Sequence, residues 1–266
     1  MLQKKKNTDL IRSFHSELRK IYRSSSYHIL LNSMDDCLDY DIFSMRNIQG
    51  LSEHIPVYKL ANKKIIVFEG LEGAGKTRQS KDLEKVLKGS YRVPKITNSP
   101  FSLFLESLKS YYTVGFPIIN PLYDSLLRAF NALEIRDSIV KGTVSNIILD
   151  RSDISFRTFQ EYYFNNTGIL KKHYRDFLKE LSMCFPPKDI LIHLHISYEE
   201  SLKRKEKRSD EERSFDFFHS QPWLLDRYHE LIREHNTYLI EIDGTLSKEE
   251  NHYEIVKNLK KMINGL

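Results

Sequence analysis

The segment between residues 70 and 77 carries glycines, a lysine and a threonine at the spacing of a phosphate-binding loop. Its sequence, GLEGAGKT, matches the pattern G-x-x-x-x-G-K-[ST] completely. Glycines allow the main chain to curl so that successive N–H groups face one anion. An apolar run precedes the segment and a helical pattern follows it, as such a loop requires. We therefore predict a phosphate cradle whose main chain comes from Gly70, Gly73, Ala74 and Gly75.

The residues that close the loop add charge and a metal ligand to this cradle. Lys76 supplies a mobile ammonium to the β and γ phosphates of a nucleotide, and Thr77 offers a hydroxyl to Mg²⁺. Arg78 follows in the first turn of the predicted helix, whose positive dipole end also attracts anions. These residues predict binding of ATP and Mg²⁺. They do not identify the acceptor, because GTPases, ATPases and small kinases share the pattern.

From residue 63 onward, short apolar runs alternate with longer helical patterns. This alternation is typical of an α/β fold in which helices cover both faces of a parallel sheet. We predict a parallel sheet of five strands. Four of them are clear apolar runs: Ile65–Phe68, Asn146–Leu149, Asp189–Ile196 and Tyr238–Ile242. The fifth, Tyr91–Thr97, has a weaker signal because a proline interrupts it. The predicted helices span residues 77–87, 100–110, 123–140, 170–183, 198–207, 222–234 and 248–263.

Residues 1–60 differ in texture from the rest of the chain. Lysine and arginine are concentrated in their first half, acidic residues lie between Asp35 and Asp41, and no strong hydrophobic period runs through them. We predict an N-terminal extension of unknown role over residues 1–60 and a P-loop domain over residues 61–266.

A second segment, DRSDISFRTFQ at residues 150–160, begins with an aspartate and an arginine at the end of a predicted strand. Together with residues 66–77, which place an acidic residue inside the loop, it resembles the thymidylate kinases and their pyrimidine nucleoside monophosphate kinase relatives. The resemblance covers roughly residues 63–264 and implies a P-loop kinase fold. It also implies phosphoryl transfer from ATP to a pyrimidine (deoxy)nucleoside monophosphate, with dTMP as the leading acceptor.

Asp150 and Arg151 lie where the residues alone predict ligands. Asp150 ends an apolar strand at the carboxyl edge of the predicted sheet, so we expect it to hold Mg²⁺ partly through water. Arg151 can bridge two phosphate groups with its planar fork of donors. A capping aspartate beside a surface arginine is the simpler alternative. The resemblance implies that Glu72 holds the sugar hydroxyl of the acceptor or a cationic partner.

A charged segment at residues 203–216 contains almost no apolar residues. Arg204 and Arg208 lie four residues apart in it and therefore share one helix face. The resemblance implies a lid in this position, which closes over ATP and brings these arginines to the transferred phosphoryl group. A solvated helix face is the alternative.

The resemblance also implies where the acceptor binds. Arg128 and Phe130 lie on the long helix before Asp150, where relatives place an arginine and an aromatic against the pyrimidine ring. Phe159 and Gln160 match the aromatic-glutamine pair of the same site. An aromatic at helical spacing fits a hydrophobic core equally well, so both roles remain open for the phenylalanines.

The stretch after the second predicted strand departs from the family pattern. Typical thymidylate kinases carry an arginine-glutamate-proline motif there, and this chain has Thr97–Phe101. The arginine that would bind the acceptor phosphate is therefore missing from this stretch. Either Arg128, Arg151 or Arg157 takes its place, or the acceptor differs. UMP and CMP kinases of the same family depart there too, so these acceptors remain open.

Two further functions compete with the monophosphate kinase. A deoxynucleoside kinase needs a carboxylate base after the second strand, and no Asp or Glu occurs between Tyr91 and Leu105. A monophosphate acceptor is already anionic and needs only positioning, which favours the monophosphate kinase. The other competitor is a non-catalytic nucleotide-binding module whose residues 1–60 bind a partner, and the presence of Lys76 and Asp150 disfavours it.

Composition limits the partners and the compartment. The chain has 266 residues, a net charge of +5 and two cysteines, and no apolar run approaches the roughly 18 residues of a membrane span. We expect small nucleotides as ligands, no nucleic-acid or membrane partner and a cytoplasmic location, while a homodimer stays open. A mitochondrial location is the alternative, because residues 1–27 are basic and roughly amphipathic, although Asp9 and Glu17 interrupt them.

His193 and His195 alternate along one predicted strand, so their side chains point the same way. Because the sequence shows no third ligand for them, we interpret them as packing residues of the strand rather than as metal ligands. The expected metal ligands are Thr77 and Asp150, both for Mg²⁺.

Overall fold

The computed structural model describes residues 2–23, 25–39, 51–54, 64–93, 121–142, 146–164, 171–206, 222–235 and 238–264. In chain order, the strands are β1 (Lys64–Glu69), β2 (Ser90–Arg92), β3 (Asn146–Asp150), β4 (Ile190–His195) and β5 (Tyr238–Asp243). The helices are α1 (Leu2–Ile21), α2 (Ser25–Asp39), α3 (Leu51–His54), α4 (Lys76–Val86), α5 (Pro121–Lys141), α6 (Asp153–Phe164), α7 (Lys171–Ser182), α8 (Tyr198–Lys205), α9 (Pro222–Glu234) and α10 (Lys248–Asn264). Within these ranges, no helix combines the length and apolar character needed to cross a membrane.

The five strands form one parallel sheet in the order β2-β3-β1-β4-β5. Strand β1 lies at its centre, and residues 65–68 are almost completely buried, as expected for a parallel strand covered on both faces. The register places Phe68 beside Asp150 on β3 and Glu69 beside His193 on β4. The carboxyl ends of the central strands therefore meet where the phosphate loop begins. This sheet confirms the predicted α/β class.

Parts of the fold differ from the expectations drawn from sequence. Helix α6 covers a segment for which no helix was predicted. Residues 152–161 are buried on most sides. A helix buried in this way has no single apolar stripe, so its hydrophobic pattern does not reveal it. Helices α1 and α2 likewise occupy the segment expected to lack a period. The predicted helix over residues 100–110 and the end of the strand predicted over 91–97 lie outside the described residues.

Contacts between residues divide the chain into two compact units that interleave along the sequence. The helical unit consists of residues 1–58, 94–140 and 163–186, and the sheet unit consists of residues 59–93, 141–162 and 187–266. The segment predicted as an extension thus belongs to a unit that also includes α7 and nearly all of α5. A division of roles between residues 1–60 and 61–266 stays a prediction.

Aromatic residues form the core of the helical unit. Phe130 on α5 is fully buried, and its ring centroid lies 5.0 Å from that of Tyr22 and 4.8 Å from that of Tyr27. The hydroxyl of Tyr27 donates to Asp137 at 2.9 Å, and the hydroxyl of Tyr22 donates to Glu134. Burial and then the charge of Asp137 raise the pKa of Tyr27, so its hydroxyl stays protonated as a donor. The N-terminal helices are therefore part of a packed core in this unit.

A buried ion pair fixes the first turn of α6 in the sheet unit. Lys188 donates to the Oδ1 atom of Asp153 at 2.5 Å, both side chains are less than a tenth exposed, and the Nε2 atom of His235 lies 3.2 Å from Oδ2. Burial by itself raises the pKa of Asp153, but His235 and Lys188 outweigh it and lower the pKa to about 2. The stabilisation is therefore complete above about pH 4 and is lost as the pH falls from about 4 to about 2.

We predict that Asp153→Asn lowers the free energy of unfolding by about 3–5 kcal/mol near neutral pH, because Lys188 stays buried without its partner. The difference from the unsubstituted protein should shrink at about pH 2.5, where that protein also loses most of this contribution. Urea unfolding at both pH values measures the change. Glu249→Gln, an exposed acid in the first turn of α10, is the control and should have little effect. An equal loss at the two pH values would contradict the prediction.

Candidate active site

The phosphate loop connects the central strand β1 to helix α4, and its two outer glycines meet different constraints. A Cβ added at Gly70 would lie 2.3 Å from the carbonyl oxygen of Leu194 on β4, so no larger residue fits there. Gly75 adopts a φ of 94° as the N-cap of α4, which favours glycine for conformational reasons. Apart from its chain neighbours and the backbone of α4, no atom of the described residues lies within 4 Å of a Cβ added at Gly75. Among these residues, the loop therefore keeps open space at the N-terminus of α4.

The side chain of Lys76 lies inside the curl of this loop. Its Nζ atom donates to the carbonyl oxygens of Gly70 at 2.9 Å and Leu71 at 2.8 Å, and the residue is 5% exposed. Burial, followed by the charge of Arg151, lowers the pKa of Lys76 to about 7. The ammonium is thus held ready by main-chain carbonyls.

Thr77 and Asp150 form an oxygen-rich pair beside the loop. The hydroxyl of Thr77 donates to the Oδ2 atom of Asp150 at 2.5 Å. The Oδ1 atom of Asp150 is buried and has no hydrogen-bond partner among the described residues. Mg²⁺ prefers hard oxygen ligands and keeps several waters, so a hydroxyl and a carboxylate with one unused oxygen fit this ion. These two residues could hold it.

A buried carboxylate at the end of β1 organises the next turn of the site. Glu69 is fully buried and accepts hydrogen bonds from the main-chain N–H and the hydroxyl of Ser152, both at 2.7 Å. The N–H of Ser155 donates to it at 3.2 Å and the hydroxyl of Ser155 at 2.5 Å. The hydroxyl of Tyr228 on α9 also donates to it, at 3.3 Å, and burial raises the pKa of this tyrosine well above its ordinary value. Sequence reasoning missed this network, and the acid that ends the apolar run of β1 was its only local signal.

Arg151 occupies the turn between β3 and α6 with a φ of 80°, which is unusual for a residue other than glycine. Its N–H donates to the carbonyl of Phe68 at 2.9 Å, which links the turn to β1. The guanidinium donates to the hydroxyls of Ser155 at 3.1 Å and Tyr228 at 3.3 Å. Burial lowers the pKa of Arg151, but Tyr228 and the nearby acidic groups outweigh burial and raise it, so the side chain stays charged.

The structure brings Glu72 and Phe159 to Arg151. An oxygen of Glu72 lies 3.5 Å from a guanidinium nitrogen, and the guanidinium carbon lies 5.0 Å from the centroid of the Phe159 ring. Gln160 follows on α6 and is buried. The acid inside the loop is therefore adjacent to a cation, and its role towards the acceptor stays a prediction.

Helix α8 packs its arginine against the phosphate loop. Arg204 donates to the carbonyl of Gly73 at 3.0 Å and to Glu200 at 2.6 Å. The hydroxyl of Ser201 donates to the carbonyl of Glu72 at 2.8 Å. Arg208 lies outside the described residues, so its role in a lid stays a prediction.

Two other residues predicted for the cradle differ in exposure. Ala74 is buried in the loop. Arg78 lies on α4, is largely exposed and pairs with Asp82 at 2.8 Å.

The family model described as "Thymidylate kinase" matches residues 68–255, which is more than half of the chain. The chain belongs to the thymidylate kinase family. This match confirms the family resemblance of the phosphate loop and of residues 150–160.

Related proteins align with the chain over nearly their whole length. The protein named thymidylate kinase from Thermoanaerobacter sp. strain X514 is 27% identical over 207 residues, which cover 75% of this chain and 98% of that protein. The probable thymidylate kinase from Methanococcus aeolicus is 29% identical over 211 residues, with the same two coverages. A solved structure of deoxyadenosine kinase from M. mycoides with bound dATP has a TM-score of 0.54 at 18% identity and covers 74% of this chain and 99% of that one. The likeness to this structure shows the fold alone.

Two residues that the thymidylate kinase resemblance assigns to the acceptor lie in the helical unit. Arg128 pairs with Asp124 at 2.7 Å on the surface of α5. Phe130 packs among the tyrosines of the N-terminal segment, as described above. Their contact with a pyrimidine ring stays a prediction.

The pKa of Lys76 generates a prediction about ATP binding. A phosphate chain needs the ammonium, whereas the free protein loses that proton near pH 7. Above this pH we expect ATP binding to take up a proton and the affinity to fall by up to about tenfold per pH unit. Calorimetry in two buffers with different protonation enthalpies measures the uptake.

Two lysine variants sharpen this experiment. Lys76→Gln should bind ATP weakly and without proton uptake. Lys85→Gln, which removes an exposed lysine from the same helix, should retain the uptake. An affinity that does not change between about pH 7 and pH 9 would contradict the link to this lysine.

Proposed function

We propose that the chain transfers a phosphoryl group from ATP to a pyrimidine (deoxy)nucleoside monophosphate, with dTMP as the acceptor and ADP and the nucleoside diphosphate as products. The observation that carries this proposal is the arrangement of Lys76, Thr77 and Asp150. An ammonium inside a curl of main-chain amides lies next to a pair formed by a hydroxyl and a carboxylate. Membership in the thymidylate kinase family supports phosphoryl transfer as the reaction.

The phosphate chain of ATP fits the curl between β1 and α4. Main-chain N–H groups and the positive end of the α4 dipole attract the anion, and the space beside Gly75 admits it. Binding draws the ammonium of Lys76 away from the carbonyls of Gly70 and Leu71 towards the β and γ phosphates. Mg²⁺, which Thr77 and Asp150 would hold, neutralises negative charge on the phosphates when it is bound.

Two arginines approach the loop from different elements. Arg204 reaches the carbonyl of Gly73 from α8, and Arg151 lies beside Glu72 at the end of β3. Phosphoryl transfer depends on aligning the substrates and on neutralising charge that spreads over the transferred group. We assign Arg151 to the acceptor phosphate and the transferred group, and Arg204 to the donor phosphates. Glu72 holds the Arg151 fork in position until a phosphate replaces it.

The acceptor is assigned from the family and from the residues around Arg151. Relatives named thymidylate kinase support dTMP. We propose Phe159, with Gln160, for contact with the pyrimidine, because the ring lies against the arginine assigned to the acceptor phosphate. UMP, CMP and deoxynucleosides are the other acceptors that the sequence leaves open. A cytoplasmic location and homodimer formation remain expectations from the sequence.

A substrate panel tests the acceptor assignment. We expect ATP, Mg²⁺ and dTMP to yield ADP and dTDP in a coupled assay, with slower turnover of dUMP, CMP and UMP. The nucleosides should not be phosphorylated, because the sequence from Tyr91 to Leu105 has no Asp or Glu to act as a base for a sugar hydroxyl. Turnover of nucleosides alone would overturn the monophosphate assignment, and turnover of UMP or CMP in preference to dTMP would change the base.

A conservative substitution tests the role of Arg151. Arg151→Lys keeps the charge but loses the planar fork, so we expect turnover to fall by about 10²- to 10³-fold. Arg92→Lys is the matched control, because Arg92 is a half-buried arginine of the same unit that lies near Glu84. Steady-state kinetics with varied acceptor separates kcat from KM. Equal activity of the two variants would remove Arg151 from the mechanism.

A further inference from the structure

Three histidines converge at the carboxyl end of β4. His193 and His195 alternate on the strand, and His229 on α9 lies against both of them. One ring nitrogen from each lies within 4.8 Å of the others. The centroids are 5.9 Å apart for His193 and His195, 5.6 Å for His193 and His229, and 5.3 Å for His195 and His229. The fold thus supplies a third histidine side chain that the spacing of the strand histidines did not show.

The buried member of this cluster has an unused nitrogen. His193 is 1% exposed, and its Nδ1 atom has no hydrogen-bond partner among the described residues. An oxygen of the Glu241 carboxylate lies 3.9 Å from this Nδ1 atom, which is too far for a hydrogen bond. Buried polar atoms in native proteins nearly always have a partner.

The spacing of the rings fits one shared ion. Imidazoles bound to a tetrahedral ion through bonds of about 2.0–2.1 Å have ring centroids about 5 Å apart. The observed centroid distances exceed this spacing by less than about 1 Å, which rotation of the side chains can close. His195 is exposed and His229 is half-buried, so an ion can enter from solvent and keep a water as its fourth ligand.

We propose that His193, His195 and His229 bind one divalent transition-metal ion of the Zn²⁺ class. Neutral imidazole is a preferred ligand of such ions, whereas Mg²⁺ prefers oxygen. The site is therefore chemically distinct from the pair formed by Thr77 and Asp150. It also does not depend on the proposed phosphoryl transfer.

Metal binding here would join two elements that support the phosphate loop. Leu194, between the two strand ligands, places its carbonyl oxygen 2.3 Å from the position of a Cβ added at Gly70. Tyr228, beside the ligand on α9, donates to Glu69. The bound ion is therefore a structural clamp between β4 and α9. A ligand that binds only the folded state raises the midpoint of thermal unfolding.

The test uses the full-length chain without an affinity tag, stripped of metal with a chelator and free of nucleotide. We expect calorimetry to show one Zn²⁺ per chain and Co²⁺ to give the visible absorption of a four-coordinate ion with imidazole ligands. Zn²⁺ should also raise the thermal unfolding midpoint. Since losing an outer-shell partner alone costs about 10- to 100-fold in metal affinity, His195→Ala and His229→Ala should each weaken binding by at least about tenfold.

Two controls locate the ion. His252→Ala, which removes a half-buried histidine of α10 outside the cluster, should retain the affinity. Asp150→Asn should also retain it, because this variant alters only the oxygen ligands proposed for Mg²⁺. Because His195 is exposed at the end of its strand, its substitution should preserve the fold, and circular dichroism checks this.

The proposal is overturned if the folded protein does not bind Zn²⁺. It is equally overturned if folded His195→Ala retains the full affinity, or if only Asp150→Asn loses the ion. If His229→Ala does not fold, the result for His195→Ala decides the outcome.

Discussion

The carboxylate of Glu69 is buried where β1 ends, and it accepts hydrogen bonds from the first turn of α6 and from α9. Each hydrogen bond to a charged group contributes about 1.5–3 kcal/mol, and a buried carboxylate without partners would be strongly unfavourable. Ser152, Ser155 and Tyr228 must therefore keep their places. These same residues flank or contact Arg151, so satisfying one buried charge also fixes the cation beside the phosphate loop.

The charged side chains around this loop already have polar or charged partners before any ligand arrives. Arg151 lies beside Glu72, Lys76 lies between two carbonyls, and Thr77 is bonded to Asp150. The side chains of such a site are therefore already in place. An incoming phosphate chain takes over the partners of the two cations and does not have to order their side chains. Prior arrangement matters for phosphoryl transfer, because positioning and charge neutralisation supply nearly all of its catalysis.

The core of the helical unit combines aromatic rings with buried polar groups. Its N-terminal helices bury His15, which hydrogen-bonds Asp35 at 2.6 Å and the Tyr123 hydroxyl at 3.0 Å. Tyr22 and Tyr27 place their rings on Phe130, while their hydroxyls reach carboxylates of α5. A tyrosine buries its apolar ring and also needs a hydrogen-bond partner for its hydroxyl. A core built from tyrosines therefore includes carboxylates as partners, and its sequence contains charged residues among the apolar ones. This composition explains why no hydrophobic period was visible in residues 1–60.

The elements whose signals are local could be predicted from the amino-acid sequence. The glycines from 70 to 75 and the following Lys76 and Thr77 predicted the phosphate loop, because its main-chain shape depends on consecutive residues. The apolar runs of β1, β3, β4 and β5 predicted the parallel sheet for the same reason. The position of Asp150 at the carboxyl edge of the sheet was likewise predicted from the end of the β3 run, and its role as a metal ligand stays a prediction.

Contacts between residues far apart in the chain became visible only in the folded structure. Glu69 and Tyr228 are 159 positions apart in the chain, and His229 reaches the histidines of β4 from another element. The φ of Arg151 and the position of Phe130 in a core also depend on neighbours that no spacing reveals. These contacts depend on how the connections between strands and helices arrange the elements in space. A sequence pattern shows which face of one helix or strand is buried, but it does not show which other element packs against that face.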